Sequence, residues 1–356
     1  MKTIKIGNKK IGENFPTYFI ADVGANHDGS LSRAKKLIRL AKKAGADAVK
    51  FQHFKAETIV SDFGFRNLRS KLSHQSKWKK SVFQVYKEAS LPNEWTKKLK
   101  KYSDKNKIEF MTSPYDIKIV DEINPYVRAI KIGSGDITWI DIVKKISKKK
   151  KPVLLATGAS NFQDVKRAVK EILKFNKKIV IMQCNTNYTG KIENIKHVNL
   201  NVLKLFRKNF KDKIIGLSDH TPGHLSVLTS IALGARVIEK HFTDNNKRSG
   251  PDHPFAMNPK TWSLMIKSAR ALEQSLGDGN KKIEKNENLT KIIQRRCIRV
   301  NQNIRKGEKI TESKLIYLRP CPKFALAPFE KNKIINKICR KNLKKHMHIK
   351  VSDVRK

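Results

Sequence analysis

Residues 214–241 read IIGLSDHTPGHLSVLTSIALGARVIEKH. Two short β-branched runs, Ile214–Ser218 and Val237–His241, lead into polar ends, Ser218-Asp219-His220 and Glu239-Lys240-His241, and a longer segment separates them. Strand run, longer segment, strand run is the pattern of parallel strands joined by a crossover. Working outward, the same kind of run recurs at Tyr18–Val23, Ala48–Gln52, Ile108–Ser113, Ala129–Ile132, Val153–Ala156 and Ile179–Cys184. Helical patterns lie between them. In Leu31–Ala44, for example, Leu37, Ile38, Leu40 and Ala41 fall on one face and Gly45 closes the segment. Eight βα units within about 250 residues are the number and length at which an α/β chain closes into a (β/α)8 TIM barrel. An open doubly wound sheet is the competing arrangement, disfavoured because no G-x-G-x-x-G follows the first strand.

The stretch Phe54–Leu91 is longer than a connection needs. It reads as an insertion with short helices of its own, expected to cover a mouth of the barrel. After Leu276 the texture changes to GDGNKKIEKNEN, rich in glycine and charge. The expected organisation is therefore a barrel domain over 1–276, a linker over 277–294 and a small β-rich domain over 295–356. Strand-like runs at Cys297–Val300 and Leu315–Leu318 mark that last piece, with turn signals at Lys306-Gly307-Glu308 and Arg319-Pro320-Cys321-Pro322. About 60 residues bury only a marginal core, so this piece is expected to lean on the barrel or on a partner chain.

Composition narrows the class. With 39% hydrophobic residues among 356, a large core is available and disorder is disfavoured. The four cysteines, Cys184, Cys297, Cys321 and Cys339, are widely spaced, so neither a zinc knuckle nor a disulfide framework is indicated and a reducing cytoplasm fits. The opening MKTIKIGNKKIGENFP has no apolar run suited to a signal peptide, and no stretch of about 20 apolar residues could span a bilayer. Lys and Arg total 77 against 31 Asp and Glu, a net +46 that alone would suggest nucleic acid or a membrane surface. The lysines are nevertheless spread over the whole chain, without an aromatic-interleaved stripe, and read as a solvated surface. No membrane partner is expected and a nucleic-acid partner is disfavoured, although such a field attracts anionic substrates.

In a TIM barrel the chemistry sits at the carboxyl ends of the strands. Here each of the eight ends carries polar groups: Asp22, Lys50 with Gln52, Ser113, Lys131 with Ser134 and Asp136, Thr157, Asn185 to Tyr188, Ser218 to His220, and Glu239 to His241. Lys50 and Lys131 supply positive charge, and Ser113, Ser134, Thr157 and Ser218 supply hydroxyl donors. Gly133, Gly135 and Gly158 let backbone N–H groups come close. Together they suit a phosphate or carboxylate.

His220 and His241 end neighbouring strands, so their rings can converge on one ion with Glu239 on the same face. Two imidazoles near a carboxylate suit Mn2+, Mg2+ or Fe2+ with positions open to water and substrate. Two plainer readings stay open: that the histidines only hydrogen-bond nearby loops, and that Glu239 is a buried ion-pair partner of Lys50 or Lys131.

The runs FIADVGANHDGS, AGADAVKFQHF, KIGSGD, TGAS, GLSDHT, GARVIEKHFTD, SGPDHPFAMNP and LGDG resemble those of the sialic acid synthases, among them the N-acetylneuraminate, legionaminate and pseudaminate enzymes. The tail from Arg295 is similar to that family's small antifreeze-like SAF domain. The resemblance implies condensation of phosphoenolpyruvate with the open-chain aldehyde of an N-acetylmannosamine-like amino sugar, giving a nonulosonic acid and phosphate. It implies phosphoenolpyruvate on Lys50, Ser113, Lys131, Ser134, Thr186 and Ser218, and a divalent metal, Mn2+ or Mg2+, on His220 and His241. Asp22, Gln52, Tyr188, Asp252 and Arg319 would face the sugar, and Glu239 would be the catalytic group for proton transfer. A domain-swapped homodimer is implied as well, in which the SAF domain completes the site of its partner.

Two positions depart from the family pattern. Asp22 stands where many relatives have Glu, and Ala156-Thr157-Gly158 where relatives often have Ser-Thr-Gly. The first bears on which sugar is accepted. The second removes one hydroxyl worth roughly 0.5–1.5 kcal/mol. Rival readings are a 3-deoxy-sugar-acid synthase acting on a sugar phosphate, which needs extra basic residues for the second phosphate, and a polyanion-binding protein on a barrel scaffold.

Overall fold

The structure is a computed structural model that describes residues 3–68, 75, 78–188 and 190–356. It falls into two compact units, Met1–Gly277 and Asp278–Lys356.

The first unit begins with a hairpin, β1 (Ile4–Ile6) and β2 (Lys9–Ile11), turned at Gly7 with φ +56°. Eight parallel strands follow: β3 (Tyr18–Asp22), β4 (Ala48–His53), β5 (Glu109–Pro114), β6 (Ile130–Ile132), β7 (Val153–Ala156), β8 (Ile179–Cys184), β9 (Ile214–Asp219) and β10 (Val237–His241). They form a closed barrel in chain order, completed where β10 pairs with β3. All eight expected runs are strands, with ends displaced by a residue at most. The TIM barrel is therefore the fold.

The helices around it are α1 (Leu31–Lys43), α2 (Ala56–Ile59), α3 (Asp62–Asn67), α4 (Val82–Ala89), α5 (Trp95–Lys105), α6 (Ile117–Ile123), α7 (Ile140–Lys148), α8 (Phe162–Phe175), α9 (Val202–Asn209), α10 (Leu225–Ala232) and α11 (Pro259–Ser275). α1 shows why they form. The Ser30 hydroxyl caps its first turn by accepting from Arg33 N, and Ala34, Leu37, Ile38 and Ala41 turn one apolar stripe inward. That stripe joins the outward strand residues Phe19, Val49, Phe51 and Phe110 in the main core, between sheet and helices.

A second, separate core fills the barrel itself. Tyr18, Ile20, Ala48, Met111, Ala129, Leu154, Val180, Met182, Ile214 and Val237 point inward and meet Ile4, Ile6 and Ile11 of the hairpin. The hairpin thus closes the amino-terminal end of the barrel with apolar side chains. α2, α3 and α4 lie within the Phe54–Leu91 insertion. Residues 69–74 and 76–77 of that insertion lie outside the described residues.

The second unit starts with α12 (Asn288–Gln294), placed inside the span expected to be a linker; Leu289, Ile292 and Ile293 share one helical face. Two antiparallel pairs follow: β11 (Cys297–Val300) with β12 (Leu315–Leu318), and β13 (Ile338–Cys339) with β14 (Val354–Arg355). Its core is Ile298, Val300, Ile304, Ile310, Leu315, Leu326, Ile334, Leu343 and Ile349. Among the described residues no helix is long and apolar enough to cross a membrane.

Candidate active site

Strand alternation places every second residue of the barrel wall inside. Two positions beyond the apolar plug, the inward side chains become Asp22, Lys50, Lys131 and Glu239, at most 6% exposed. They are mutually paired. Lys50 Nζ lies 2.7 Å from Asp22 Oδ2, 3.4 Å from Ser113 Oγ and 4.0 Å from Glu239 Oε1. Lys131 Nζ bonds Glu239 Oε1 and donates to Ser218 Oγ at 3.1 Å. The second oxygen of Glu239, Oε2, is buried with no hydrogen-bond partner. Of the two readings left open for Glu239, the structure draws its carboxylate to Lys131 through Oε1.

Burial alone would raise the Asp22 carboxyl, but Lys50 outweighs it and holds the group below the usual carboxylate range. Burial opposes the Lys131 charge, and Glu239 with Asp22 outweighs that, raising its pKa. Lys131 is therefore cationic, and Lys50 faces inward near it, paired with Asp22, with hydroxyls of Ser113 and Ser218 beside them.

The next layer is the histidine pair. The ring centroids of His220 and His241 are 5.4 Å apart. His220 Nδ1 donates to the Asn185 carbonyl at 2.8 Å, which leaves Nε2 with its lone pair. Burial lowers the pKa of His220, but Cys184 beside it outweighs burial and the ring is raised. His241 is pushed down to about 3, chiefly by burial, only partly offset by Asp22, and its buried Nδ1 has no hydrogen-bond partner. Asp22 Oδ2 and Asp252 Oδ2 each lie 3.7 Å from a His241 nitrogen. Among the described residues no three His, Cys, Asp or Glu side chains form a ready-made ligand set. The donor chemistry still fits a divalent ion: a neutral, orphaned imidazole nitrogen faces a second imidazole, with carboxylates nearby and room for other ligands.

Above this lies a cavity of about 390 Å3. Gln52, Ser134, Asp136, Tyr188, His241 and Asp252 contribute its polar groups, and Phe54, Trp78, Val85, Tyr86 and Tyr115 its apolar wall. Several of these belong to the insertion, which covers the carboxyl-end mouth as expected. Gln52 donates to Asp22 Oδ2 at 3.1 Å, and Tyr188 packs edge-on to His220 at 4.4 Å. Burial pushes Asp136 and Asp252 up to about 6. Asp252 is held by Ala25 N at 2.9 Å. Its neighbour His253, fully buried, bonds Thr243 Oγ1 at 2.6 Å and Asp28 Oδ1 at 2.8 Å, which ties the loop after β10 to the loop after β3.

The ends of β6, β7 and β8 meet at Gly158. A Cβ there would come 2.4 Å from Thr186 Cγ2 and 2.9 Å from Ser134 Oγ, so only glycine lets its N–H reach Ser134 Oγ at 2.9 Å.

Thus Lys50, Ser113, Lys131, Ser134, Ser218, Glu239, His220, His241, Gln52, Tyr188 and Asp252 are brought together at one rim, with Thr186 at its edge. Asp22 sits among them as the partner of Lys50 rather than in the cavity wall. Arg319 belongs to the second unit, exposed, directly after β12. Residue-by-residue reading missed Tyr115, Tyr86, Trp78 and Phe255, the last packed 5.0 Å from His241. They come from different settings, Tyr86 on α4, Tyr115 directly after β5 and Phe255 in the loop after β10, so no common sequence signal marks them.

Fold and rim define a class: a TIM barrel with a floor of buried, mutually paired lysines and carboxylates and a mixed cavity above it. The model of the NeuB family matches residues 37–281. N,N'-diacetyllegionaminic acid synthase of Campylobacter jejuni is 35% identical over 336 residues, 92% of this chain and 97% of the relative. Human N-acetylneuraminate-9-phosphate synthase is 29% identical, over 77% of this chain and 75% of its own. The crystal structure of N-acetylneuraminic acid synthetase from Leptospira borgpetersenii, in complex with citrate, superposes with a TM-score of 0.71 at 27% identity, over 81% of this chain and 95% of that one. The chain belongs to the NeuB family, the sialic acid synthases, and is a phosphoenolpyruvate-dependent synthase of that type. Synthases of this family generally depend on a metal.

Proposed function

We propose that this enzyme joins phosphoenolpyruvate to the open-chain form of an unphosphorylated 2-acetamido sugar, giving a nonulosonic acid and phosphate. The observation that carries the reading is the pair of buried lysines, Lys50 and Lys131, balanced only by Asp22 and Glu239 and flanked by Ser113 and Ser218. The phosphoenolpyruvate carboxylate and phosphate are the ligands such a floor suits, with Ser134 and Thr186 at its edge. An anion arriving at Lys131 competes with Glu239 for the ammonium and frees that carboxylate to carry a proton.

Gln52, Tyr188, Asp136 and Asp252 offer hydrogen bonds to sugar hydroxyls, and the aromatic wall suits an acetamido methyl. The described residues lining this cavity include no Lys or Arg, and Lys79 and Lys80 line the cavity beside it. His220 and His241 would hold Mn2+ or Mg2+. Such an ion, when bound, supplies a Lewis acid for the aldehyde oxygen. The new bond joins C3 of phosphoenolpyruvate to the aldehyde carbon; water adds at C2 and the C–O bond to phosphate breaks.

The second unit is proposed to act as a SAF-type cap of a homodimer, with Arg319 serving the partner's sugar site. Co-expression of Glu239→Ala with Arg319→Ala is expected to restore activity above either parent in mixed dimers. Persistent inactivity of purified mixed dimers would exclude action in trans. Four free cysteines suit a reducing cytoplasm. The reaction is tested by phosphate release from phosphoenolpyruvate with N-acetylmannosamine, its 6-phosphate and 2,4-diacetamido sugars in Mn2+ buffer. A neutral acetamido sugar should support release and the 6-phosphate should be poor; release with none of them would overturn the reading.

A further inference from the structure

Behind the two histidines, on the outer face of the same strands, lies a second buried ion pair. Ser218 and Glu239 point into the barrel, so Asp219 and Lys240 point out, and the register of β9 with β10 sets them side by side. Lys240 Nζ is 2.6 Å from Asp219 Oδ2, and both side chains are 1% exposed. The rest of the cluster is hydrogen-bonded too. Lys240 donates also to the Thr221 carbonyl at 2.7 Å, and Asp219 Oδ1 accepts from Thr221 N at 3.0 Å and Thr221 Oγ1 at 2.9 Å. Thr221 Oγ1 lies 3.2 Å from Ser226 Oγ at the start of α10.

His220 is thus flanked on both sides by residues of this cluster, and His241 follows Lys240 directly. A buried ion pair adds little net stability over apolar residues of like volume, because desolvating two charges offsets their attraction. What a fully bonded network does supply is a single geometry. Here that geometry is the relative placement of two strand ends that carry imidazoles 5.4 Å apart.

We infer that Asp219 and Lys240 are positioning residues for the metal pair: the ion pair holds the ends of β9 and β10 so that His220 and His241 present their nitrogens to one divalent ion. The inference rests on the proposed assignment of His220 and His241 as ligands. Neither Asp219 nor Lys240 lines the cavity, so their removal reaches an ion only through the strand ends that carry the histidines.

The test is Mn2+ binding to the full chain, by calorimetry and by the electron paramagnetic resonance of free Mn2+, with no substrate present. The variants are Asp219→Leu/Lys240→Met, which removes both charges at similar volume, and Asp219→Asn/Lys240→Gln, which keeps polar contacts if the apolar pair folds poorly. Affinity should fall about 10–100-fold in the apolar pair, the usual range for loss of groups that orient metal ligands. The melting temperature of the apolar pair should fall, because Thr221 N and O lose their buried partners, and the Mn2+ affinity of the Asn/Gln pair should lie between those of the apolar pair and the wild type. Wild-type affinity in whichever pair folds overturns the positioning role and leaves the metal assignment intact. Absence of Mn2+ binding by the wild-type protein overturns the assignment itself, and with it the inference.

Discussion

The two ends of the barrel are built from the same eight strands, on the same inward register, with opposite chemistry. At the amino end the inward layer is Ile20, Ala48, Met111, Ala129, Val180 and Val237, sealed by Ile4, Ile6 and Ile11 of the hairpin. Two residues further along, Ile20 gives way to Asp22, Ala48 to Lys50, Met111 to Ser113, Ala129 to Lys131 and Val237 to Glu239. One step of strand alternation therefore separates a dry plug from a layer of buried charge. The lower layer gains stability by burial and asks for nothing specific. The upper layer is stable only because each lysine has its carboxylate.

That contrast is open to attack at both ends. The largest expected effect is on turnover: Glu239→Gln keeps the volume but cannot carry a proton and should lower kcat by about 10²–10⁴-fold, with a lower melting temperature as well because buried Lys131 loses its carboxylate. Lys131→Ala should mainly raise the KM for phosphoenolpyruvate. A Glu239→Gln enzyme with most of its kcat would remove that residue from proton transfer. At the plug the effect should invert: Ile11→Ala, at a fully buried site, should cost about 2–5 kcal/mol in denaturant unfolding while kcat is unchanged. A change in kcat comparable to that of Glu239→Gln would erase the distinction between the two ends.

The barrel was legible because eight β-branched runs each end in polar residues, and burial on both faces of a parallel strand demands such runs. The hairpin was missed although IKIGNKKI carries its signal, alternation around a glycine turn. The lysines, histidines and Glu239 could be placed from strand position alone. The choice between ion pair and metal neighbour for Glu239 could not, because it depends on Lys131, more than a hundred residues away and four strands around the barrel. Likewise the wall of Trp78, Tyr86 and Tyr115 joins helix α4 of the insertion to the end of β5, a meeting no local pattern announces. The helix at Asn288–Gln294 within the expected linker is a smaller case of the same kind.

The smallest effect concerns Asp136, whose carboxyl in the cavity wall burial raises from 3.8 to about 6. Between those values the folded protein keeps a proton that the unfolded chain has released, so stability falls as pH rises through this window. Asp136→Asn should remove up to one proton's worth of that slope. Unfolding free energies of wild type and variant that run parallel from pH 4 to about 6 would show that the group titrates normally.

The central claim is that the charged rim works with a divalent ion on His220 and His241. Phosphate release from phosphoenolpyruvate and an acetamido sugar, measured for wild type, His220→Ala and His241→Ala in excess chelator and again after Mn2+, addresses it most directly. The account predicts that chelation abolishes turnover of the wild type, that Mn2+ restores it, and that neither variant is rescued. Full turnover of the wild type or of either variant in excess chelator would contradict it.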